Sequence, residues 1–555
     1  MTDPADLVIF NARVLTMDAA NPRAEAVAIA RGRIVHVGGE AAAMNLRGPR
    51  TRMLDAAGGT VLPGFIEAHM HLFSGAAELA HLQLAGVTGF DALQTAIRNH
   101  ADARPDQFML VAQGVDYTVL SPVERVTRRY LDRILPDRPF AMAAPDHHTM
   151  WANTRALELA GILHGAALGP GNEIVMGADG LAEGELREGE AFGPVLDLAG
   201  EGRVRLGLST GGEPDPAPTA QERAADRAIL KRGLEWCARH GITSIQNMDG
   251  NLYQLELLAE IEAEGGLLCR VKVPFHFKNF MKIERLEKAS AMTAEYASDR
   301  LSSGLVKVFY DGVLDGFTAV MVEPYADRPD WVGEPLFTPA QFAAVAVEAD
   351  RRGLQIAVHA IGDGAVRAVL DGYAAARQAN GPRDSRHRIE HIEVVTAADV
   401  PRFAVLGVIA SMQPPHPPGA MGFPLEPTVS RIGRERWPLS YAWRTLKDAG
   451  ARVVFASDWP VSLIDPVAGL QAAMLRKPWA PGDPDQSFSL NEALAGYTLE
   501  GAYAEFAEDR KGVLKLGYLG DVVVLSGDIE AADPAVLHHQ HPMATVCGGV
   551  VTFKR

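Results

Sequence analysis

Between residues 57 and 505, short apolar runs with strand character alternate with Ala-, Leu-, Glu- and Arg-rich stretches of helical character. Alternation of this kind predicts βα units around a parallel sheet and therefore an α/β fold. Eight such runs predict a (β/α)8 TIM barrel, whose active sites lie at the carboxyl ends of its strands. The predicted strands cover 60–68, 242–248, 268–276, 304–310, 354–360, 387–392, 407–413 and 452–457.

Two features predict structure beyond the barrel. About 170 residues separate the first two predicted strands, far more than an ordinary βα connection, so an inserted lid subdomain is expected at about 73–225. Short strand-like runs separated by turn residues also occupy both ends of the chain, and neither end has enough strands to bury a face alone. We therefore predict a small β-sandwich domain formed by residues 1–56 and 506–555, around a barrel domain of residues 57–505.

Composition narrows the class of partner. The chain has 555 residues and a formal net charge of −16, which argues against nucleic acid or an anionic membrane as a partner. The three cysteines Cys237, Cys269 and Cys547 are far apart in apolar surroundings, so no disulfide framework or thiolate cluster is indicated. No apolar run is long enough to cross a membrane. A cytoplasmic protein that acts on a small-molecule substrate is expected, with a homodimer as an open alternative.

Two histidines, His69 and His71, end the apolar run that begins at Val61. Side chains alternate along a strand, so both imidazoles point to the same face and can form half of a divalent-metal site. An isolated pair of this kind is more often two surface histidines. The ends of later predicted strands favour the metal interpretation.

Those later strand ends carry Lys307, His359, His391 and Asp458. Each residue taken singly has an ordinary structural explanation, such as a core histidine or a helix-capping aspartate. A lysine inside an apolar strand is either paired with a carboxylate or, with a lowered pKa, able to form a carbamate that bridges two metals. Together, the imidazoles, the carboxylate and the lysine suit zinc or a similar cation.

This combination of motifs resembles the metal-dependent amidohydrolase superfamily. Within it, the chain is similar to amidohydrolase family 3, which includes N-substituted formamide deformylases. Two departures stand out: Glu67 replaces a more usual Asp, and Gly362 stands where deaminases of the superfamily have Glu, which argues against adenosine-type deamination. The motifs that carry the resemblance are Val61-Leu62-Pro63-Gly64-Phe65-Ile66 before His69-x-His71, Asp146-x-His148 with Asn153, His359-Ala360-Ile361-Gly362-Asp363, Glu390-His391, Ser411-Met412-Gln413-Pro414-x-His416 and Ser457-Asp458.

The resemblance implies one or two divalent metals, with zinc the first choice. It implies that His69 and His71 bind the first metal, that carboxylated Lys307 bridges, and that His359 and His391 hold the second. Asp458 is expected to bind the first metal and to act as the catalytic acid/base. The predicted substrate contacts are His148, Trp151, Asn153, Asp311 and His416, although lid packing explains His148, Trp151 and Asn153 equally well.

The expected reaction is hydrolysis of an amide or N-substituted formamide bond by metal-activated water. Because the expected rim is apolar and aromatic, with Trp151, Phe317 and Trp331, we predict a small neutral substrate with an apolar or aromatic group. Hydrolysis of an ester, lactone or carbamate on the same site is one alternative. A non-catalytic scaffold is the other, although a scaffold would be expected to have lost ligands.

Overall fold

The computed structural model describes residues 4–121, 123–145, 149–169, 172–199, 212–421 and 423–555. These residues form two compact units. The first unit contains the chain up to Leu72, Arg223–Trp459 and Leu463–Arg555, and the second contains Phe73–Glu222 and Pro460–Ser462. The lid role of the insertion stays a prediction.

The centre of the first unit consists of two parallel sheets, which confirms the α/β class. Neighbouring strands pair in parallel throughout both sheets. Nearly all residues of these strands are buried, as expected for parallel strands covered on both faces. In spatial order, the first sheet contains Leu301–Ser302, Arg270–Lys272, Ile242–Asn247 and Phe65–Met70, and the second contains Phe275–His276, Leu305–Phe309, Gln355–Ala360, Arg388–His391, Ile409–Met412 and Val453–Phe455.

Helices alternate with these strands, and several begin at side-chain caps. Thr338 forms a capping box with Gln341, and the Asn251 side chain accepts from the Gln254 N–H. Such caps satisfy N–H groups that have no partner inside the helix. The helices of this part of the chain are Glu40–Met44, Ala220–Arg239, Leu252–Ala263, Leu286–Glu295, Pro339–Arg351, Asp363–Asn380, Val400–Leu406, Thr428–Ile432, Trp443–Asp448, Pro466–Leu475, Leu490–Gly496 and Leu499–Ala504, with 3-10 turns at Ile283–Arg285, Trp437–Leu439 and Pro534–His539.

Strands from the two ends of the chain form two further sheets. The strand Val522–Leu525 pairs with Thr60–Pro63, so one sheet contains both ends. Side chains of both sheets, including Ile29 and Val524, share an apolar cluster. The four-stranded sheet has the order Arg33–Gly38, Ala26–Ala30, Ala5–Phe10 and Arg47–Asp55, and the six-stranded sheet has the order Val550–Lys554, Pro542–Cys547, Val522–Leu525, Thr60–Pro63, Arg13–Leu15 and Arg23–Ala24.

Two predicted strands are each divided in the structure. The run 60–68 breaks at Gly64, where the chain passes from the six-stranded terminal sheet into a central sheet. A Cβ at Gly64 would lie 2.3 Å from the Thr243 side chain, so no other residue fits this crossing without movement. The run 268–276 breaks before Phe275, after Pro274, which has no N–H to give to a sheet. The prediction of single strands was wrong at both places.

The second unit has its own six-stranded sheet. Its strands, in spatial order, are Glu173–Met176, Ala182–Arg187, Thr149–Ala152, Phe140–Ala143, Leu110–Gln113 and Leu82–Gln83, and its helices are Leu72–Glu78, Phe90–Asp102, Arg128–Ile134, Thr154–Leu159 and Gly189–Leu198. Across the described residues of both units, no helix has the length and apolar character needed to span a membrane.

Candidate metal centre

His69, His71 and Asp458 converge at the carboxyl ends of the first and last central strands. Asp458 Oδ1 lies 3.3 Å from His69 Nε2 and 3.2 Å from His71 Nε2. Two backbone hydrogen bonds hold the strand ends together, from the Asp458 N–H to the His69 carbonyl and from the His71 N–H to the Trp459 carbonyl. Donor atoms about 2.0–2.1 Å from a shared tetrahedral cation lie about 3.3 Å from each other. The three donor atoms therefore fit a single small cation.

The surroundings of His69 strengthen this fit. His69 Nδ1 hydrogen-bonds with Glu390 Oε2 at 2.6 Å, which leaves Nε2 turned toward Asp458 Oδ1. Asp458 Oδ1 is buried and has no hydrogen-bond partner within the described parts of the chain. A divalent cation between these atoms would supply the missing interaction.

A second group of possible ligands shares Asp458. His391 Nδ1 lies 3.8 Å and His416 Nε2 lies 4.0 Å from Asp458 Oδ2, and the two rings stack with an interplanar angle of 7°. Each residue offers a ligand atom within 4.8 Å of the others. His416, which was predicted to contact substrate, therefore also stands among the possible metal ligands.

Burial keeps these groups in the state that binds cations. It lowers the pKa of His359 to about 3 and that of His391 well below its usual value. Burial alone would raise the pKa of Asp458, but His69 and His71 hold it well below its ordinary range. Metal ligands must be neutral imidazoles and ionised carboxylates. At neutral pH, His359, His391 and Asp458 meet that condition.

A fully buried ion pair orients His69. Glu390, which accepts the His69 N–H, is bound by the guanidinium of Arg388. Arg388 also donates to Ser411 Oγ at 2.8 Å and to the Ala68 carbonyl at 2.7 Å. Burial would raise the pKa of Glu390, but Arg388 and His69 hold it well below its usual range. A carboxylate that holds a ligand histidine fixes its tautomer and ring orientation.

Sequence reasoning missed this role of Glu390 and Arg388. The two residues alternate within one strand and so share a face, and an arginine in an apolar strand needs a buried partner. That spacing could have indicated the pair. Its connection to His69 could not have been found the same way, since 321 residues separate Glu390 from His69.

Lys307 and His359 lie close to the cluster but outside both groups. Lys307 is buried, its Nζ has no hydrogen-bond partner in the described chain, and burial lowers its pKa to about 8. His359 packs its ring 4.5 Å from the His391 ring, centre to centre. Its Nε2 lies 3.0 Å from the Gly312 carbonyl oxygen. The structure thus brings His359 beside His391 with one nitrogen already hydrogen-bonded.

Two predicted substrate contacts already have structural roles. The Asp311 carboxylate accepts from the N–H groups of Val320, Ile361 and Gly362, so it fixes loops. The Asn153 side chain accepts from two backbone N–H groups and donates to two backbone carbonyls, all within the second unit. Both side chains are buried. The Asn153 amide has no hydrogen-bonding capacity left for a substrate, whereas Asp311 accepts three of the about four hydrogen bonds that a carboxylate can take.

Trp151 and His148 complete the predicted set. Trp151 is a buried residue of the strand Thr149–Ala152 in the second unit, where its ring packs edge-on against Tyr117. This packing accounts for Trp151 without a substrate. His148 lies outside the described residues.

Two residues of the cluster, His391 and Asp458, have a strained backbone conformation. His391 has a φ of 76° and Asp458 a φ of 59°, a left-handed conformation that costs a non-glycine residue on the order of 1–3 kcal/mol. Such strain persists where the surroundings fix the conformation, and it gathers at functional sites. Here it turns both side chains at the points where their strands end.

A buried cluster of histidines and a carboxylate at the carboxyl ends of parallel strands is the arrangement expected of a metal centre in an α/β enzyme. A family model described as "Amidohydrolase family" matches residues 52–553. The chain therefore belongs to the amidohydrolase family, and it is a hydrolase that acts on carbon–nitrogen bonds.

Relatives and solved structures agree over nearly the whole chain. The putative amidohydrolase YtcJ of Bacillus subtilis is 28% identical over 98% of each protein. The N-substituted formamide deformylase of Arthrobacter pascens is 27% identical over 100% of this chain and 99% of that protein. An uncharacterized metal-dependent hydrolase from Pyrococcus horikoshii has a similar fold, with a TM-score of 0.71, 23% identity, and coverage of 96% of this chain and 99% of that one.

Proposed function

We propose that this enzyme hydrolyses the C–N bond of a small neutral amide or N-substituted formamide that carries an apolar or aromatic group. The observation that carries the hydrolytic part is the convergence of His69 Nε2 and His71 Nε2 on Asp458 Oδ1 at 3.3 and 3.2 Å, because these spacings suit a single cation beside a carboxylate able to move protons. The substrate class is supported by the relative that deformylates N-substituted formamides. Aromatic residues of the first unit, including Phe317 and Trp331, support an apolar group.

The proposed architecture is a closed (β/α)8 barrel with domain bounds of 1–56, 57–505 and 506–555. Its support is the pair of backbone hydrogen bonds that join the residues after Val453–Phe455 to His69 and His71. The segment Arg270–His276 also contributes a strand to each central sheet. With both links, the eight strand positions of the two sheets follow one another in chain order.

One or two divalent cations, zinc first, suit the donor set of imidazoles and carboxylate. His69, His71 and Asp458 would hold the first, His359 and His391 the second, and carboxylated Lys307 would be shared between them. When bound, such a cation lowers the pKa of water toward about 7 and polarises a carbonyl.

Asp458 moves the proton in this proposal. Its carboxylate accepts a proton as a water oxygen bonds to the substrate carbonyl carbon, and it delivers that proton to the nitrogen as the C–N bond breaks. His416 Nε2 is buried and has no hydrogen-bond partner among the described residues. We propose that this ring lies beside the oxygen that becomes negative, where donation requires the ring proton at Nε2 and a ligand role requires the lone pair there.

Metal content is the first prediction. Protein purified without chelator should contain one to two equivalents of divalent metal per chain by elemental analysis, and chelator should remove metal and activity together. His387→Gln should keep the metal content and activity of the wild type, because His387 is a buried histidine that is bonded to Asp350, away from the cluster. Full activity in a metal-free preparation would contradict the proposal.

Carboxylation of Lys307 is the second prediction. Neutral Nζ bonds to the carbon of CO2 and releases a proton to solvent, which leaves a carbamate able to bridge two cations. Lys307→Ala should lose most activity and regain part of it with added short carboxylic acids, which replace the carbamate oxygens. His69→Ala should show no such rescue. Absence of a carbamate signal by NMR after growth in ¹³C-bicarbonate, in metal-loaded enzyme, would contradict the prediction.

The substrate class is tested with a matched series in which one aromatic group carries a formamide, another amide, an ester, a lactone or a carbamate. We expect the largest kcat/KM for the formamide or amide. If the enzyme clearly prefers the ester, lactone or carbamate, that bond is the one it hydrolyses and the amide proposal is wrong. A metal-free protein that hydrolyses none of them would be the non-catalytic scaffold.

A further inference from the structure

A cavity lies at the opposite ends of the central strands, away from the histidine cluster. Its volume is about 350 Å³. Its wall includes Arg270 and Gln355, the first residues of their strands, and Ser302–Gly304, which precede the strand Leu305–Phe309. Active sites of parallel α/β folds use the carboxyl ends of the strands. This cavity at the amino ends is therefore not part of the candidate metal centre.

The cavity wall is strongly basic, with six Lys or Arg side chains and two carboxylates. Most of these charges are already neutralised by ion pairs. Both lining carboxylates, Asp299 and Glu505, form ion pairs with lining cations. The four paired cations are Arg270 with Asp521, Arg383 with Asp350, Arg510 with Asp299 and Lys511 with Glu505.

Lys272 and Arg300 are the lining cations that form no ion pair with a carboxylate of the described chain. Lys272 is 8% exposed, and Nζ makes one hydrogen bond, of 3.3 Å, to Gln355 Oε1. Gln355 holds that oxygen in place by donating from Nε2 to the carbonyls of Arg386 and Ala504. Arg300 binds the carbonyls of Leu267 and Cys547. Neutral acceptors thus take the hydrogen bonds that these two cations form in the described chain, and Glu505, the carboxylate that acts on Lys272 from a distance, is already paired with Lys511.

A buried cation without a counter-ion is costly to the folded protein. A bound anion would remove that cost and would use the unfilled N–H donors of Lys272. We propose that this cavity is a binding site for a small multivalent oxyanion, such as a phosphate or a dicarboxylate, held by Lys272 and Arg300. The site lies at the amino ends of the strands, so its ligand is separate from the hydrolysed substrate.

Inorganic phosphate is the probe, added to metal-loaded enzyme against chloride at matched ionic strength. Phosphate should raise the Tm of the wild type and bind measurably by calorimetry. Lys272→Met should weaken binding by about tenfold to a hundredfold, the usual worth of a charge-assisted hydrogen bond. Without phosphate, its Tm should equal or exceed that of the wild type, because an uncompensated charge has gone. Arg351→Gln, an exposed cation elsewhere, should respond like the wild type.

This design separates the cavity from other phosphate effects. Phosphate bound at the metal centre, or a general salt effect, would act equally on Lys272→Met and the wild type, and an equal response would overturn the proposal. A lysine needed only for packing would lower Tm with or without phosphate, and that outcome would also overturn it. If Lys272→Met does not fold, Arg300→Gln takes its place with the same expected loss of binding. Succinate in parallel identifies the preferred anion.

Discussion

Asp458→Asn should lower kcat by a factor of about 10²–10⁴, the usual contribution of a general acid/base. Asparagine keeps the size of the side chain and one oxygen for a cation, but it cannot accept and return a proton. KM and metal content should therefore change much less than kcat. Because His69 and His71 lower the pKa of Asp458, the wild type should lose kcat/KM only on the far acidic side, where this carboxylate becomes protonated.

The matched control for this variant is Asp465→Asn. Asp465 lies seven positions along the chain and caps the helix Pro466–Leu475 through its side-chain oxygen. Asparagine caps helices about as well as aspartate, so turnover and stability should be unchanged. Near-normal turnover in metal-loaded Asp458→Asn would move the proton-transfer role to another group, with His416 the first to test.

Arg388→Met should destabilise the protein by about 3–5 kcal/mol, the typical cost of removing one partner of a buried ion pair. The variant leaves the Glu390 carboxylate in a site with no exposure to water. It also removes the bonds to Ser411 and to the Ala68 carbonyl, which join the strand of Arg388 to Ile409–Met412 and to Phe65–Met70. Glu390 would then orient His69 less well, so metal affinity should fall by about 10–100-fold. Denaturant unfolding with chelator present measures the loss of stability by itself, and metal titration measures the loss of affinity.

A double variant tells whether the uncompensated charge is the cause. Glu390→Gln keeps the shape of the side chain but removes the charge. Arg388→Met/Glu390→Gln should therefore be more stable than Arg388→Met alone. If the double variant is less stable, the lost hydrogen bonds between strands cause most of the destabilisation.

The sequence predicted the parts of this molecule that depend on local pattern. The buried strands are continuous apolar runs, and His69 with His71 follows from the alternation of a strand. Contacts between distant segments could not be predicted in this way, because a local pattern does not show that Glu390 pairs with His69. Asn153 was predicted to contact substrate because a polar residue after a strand resembles a site residue. In the structure, its side chain caps a helix. The break at Gly64 depends on Thr243, which is close only in the folded chain.

The sheet that joins both ends of the chain has a consequence for synthesis. Thr60–Pro63 leaves the ribosome about 460 residues before its neighbour Val522–Leu525. At about 5–20 residues per second, the wait lasts roughly 20–90 s. During that time, one edge of Thr60–Pro63 is open to pair with any other extended segment. Chaperone demand should therefore peak late in translation, and chains interrupted before Val522 should be prone to aggregation and rapid degradation.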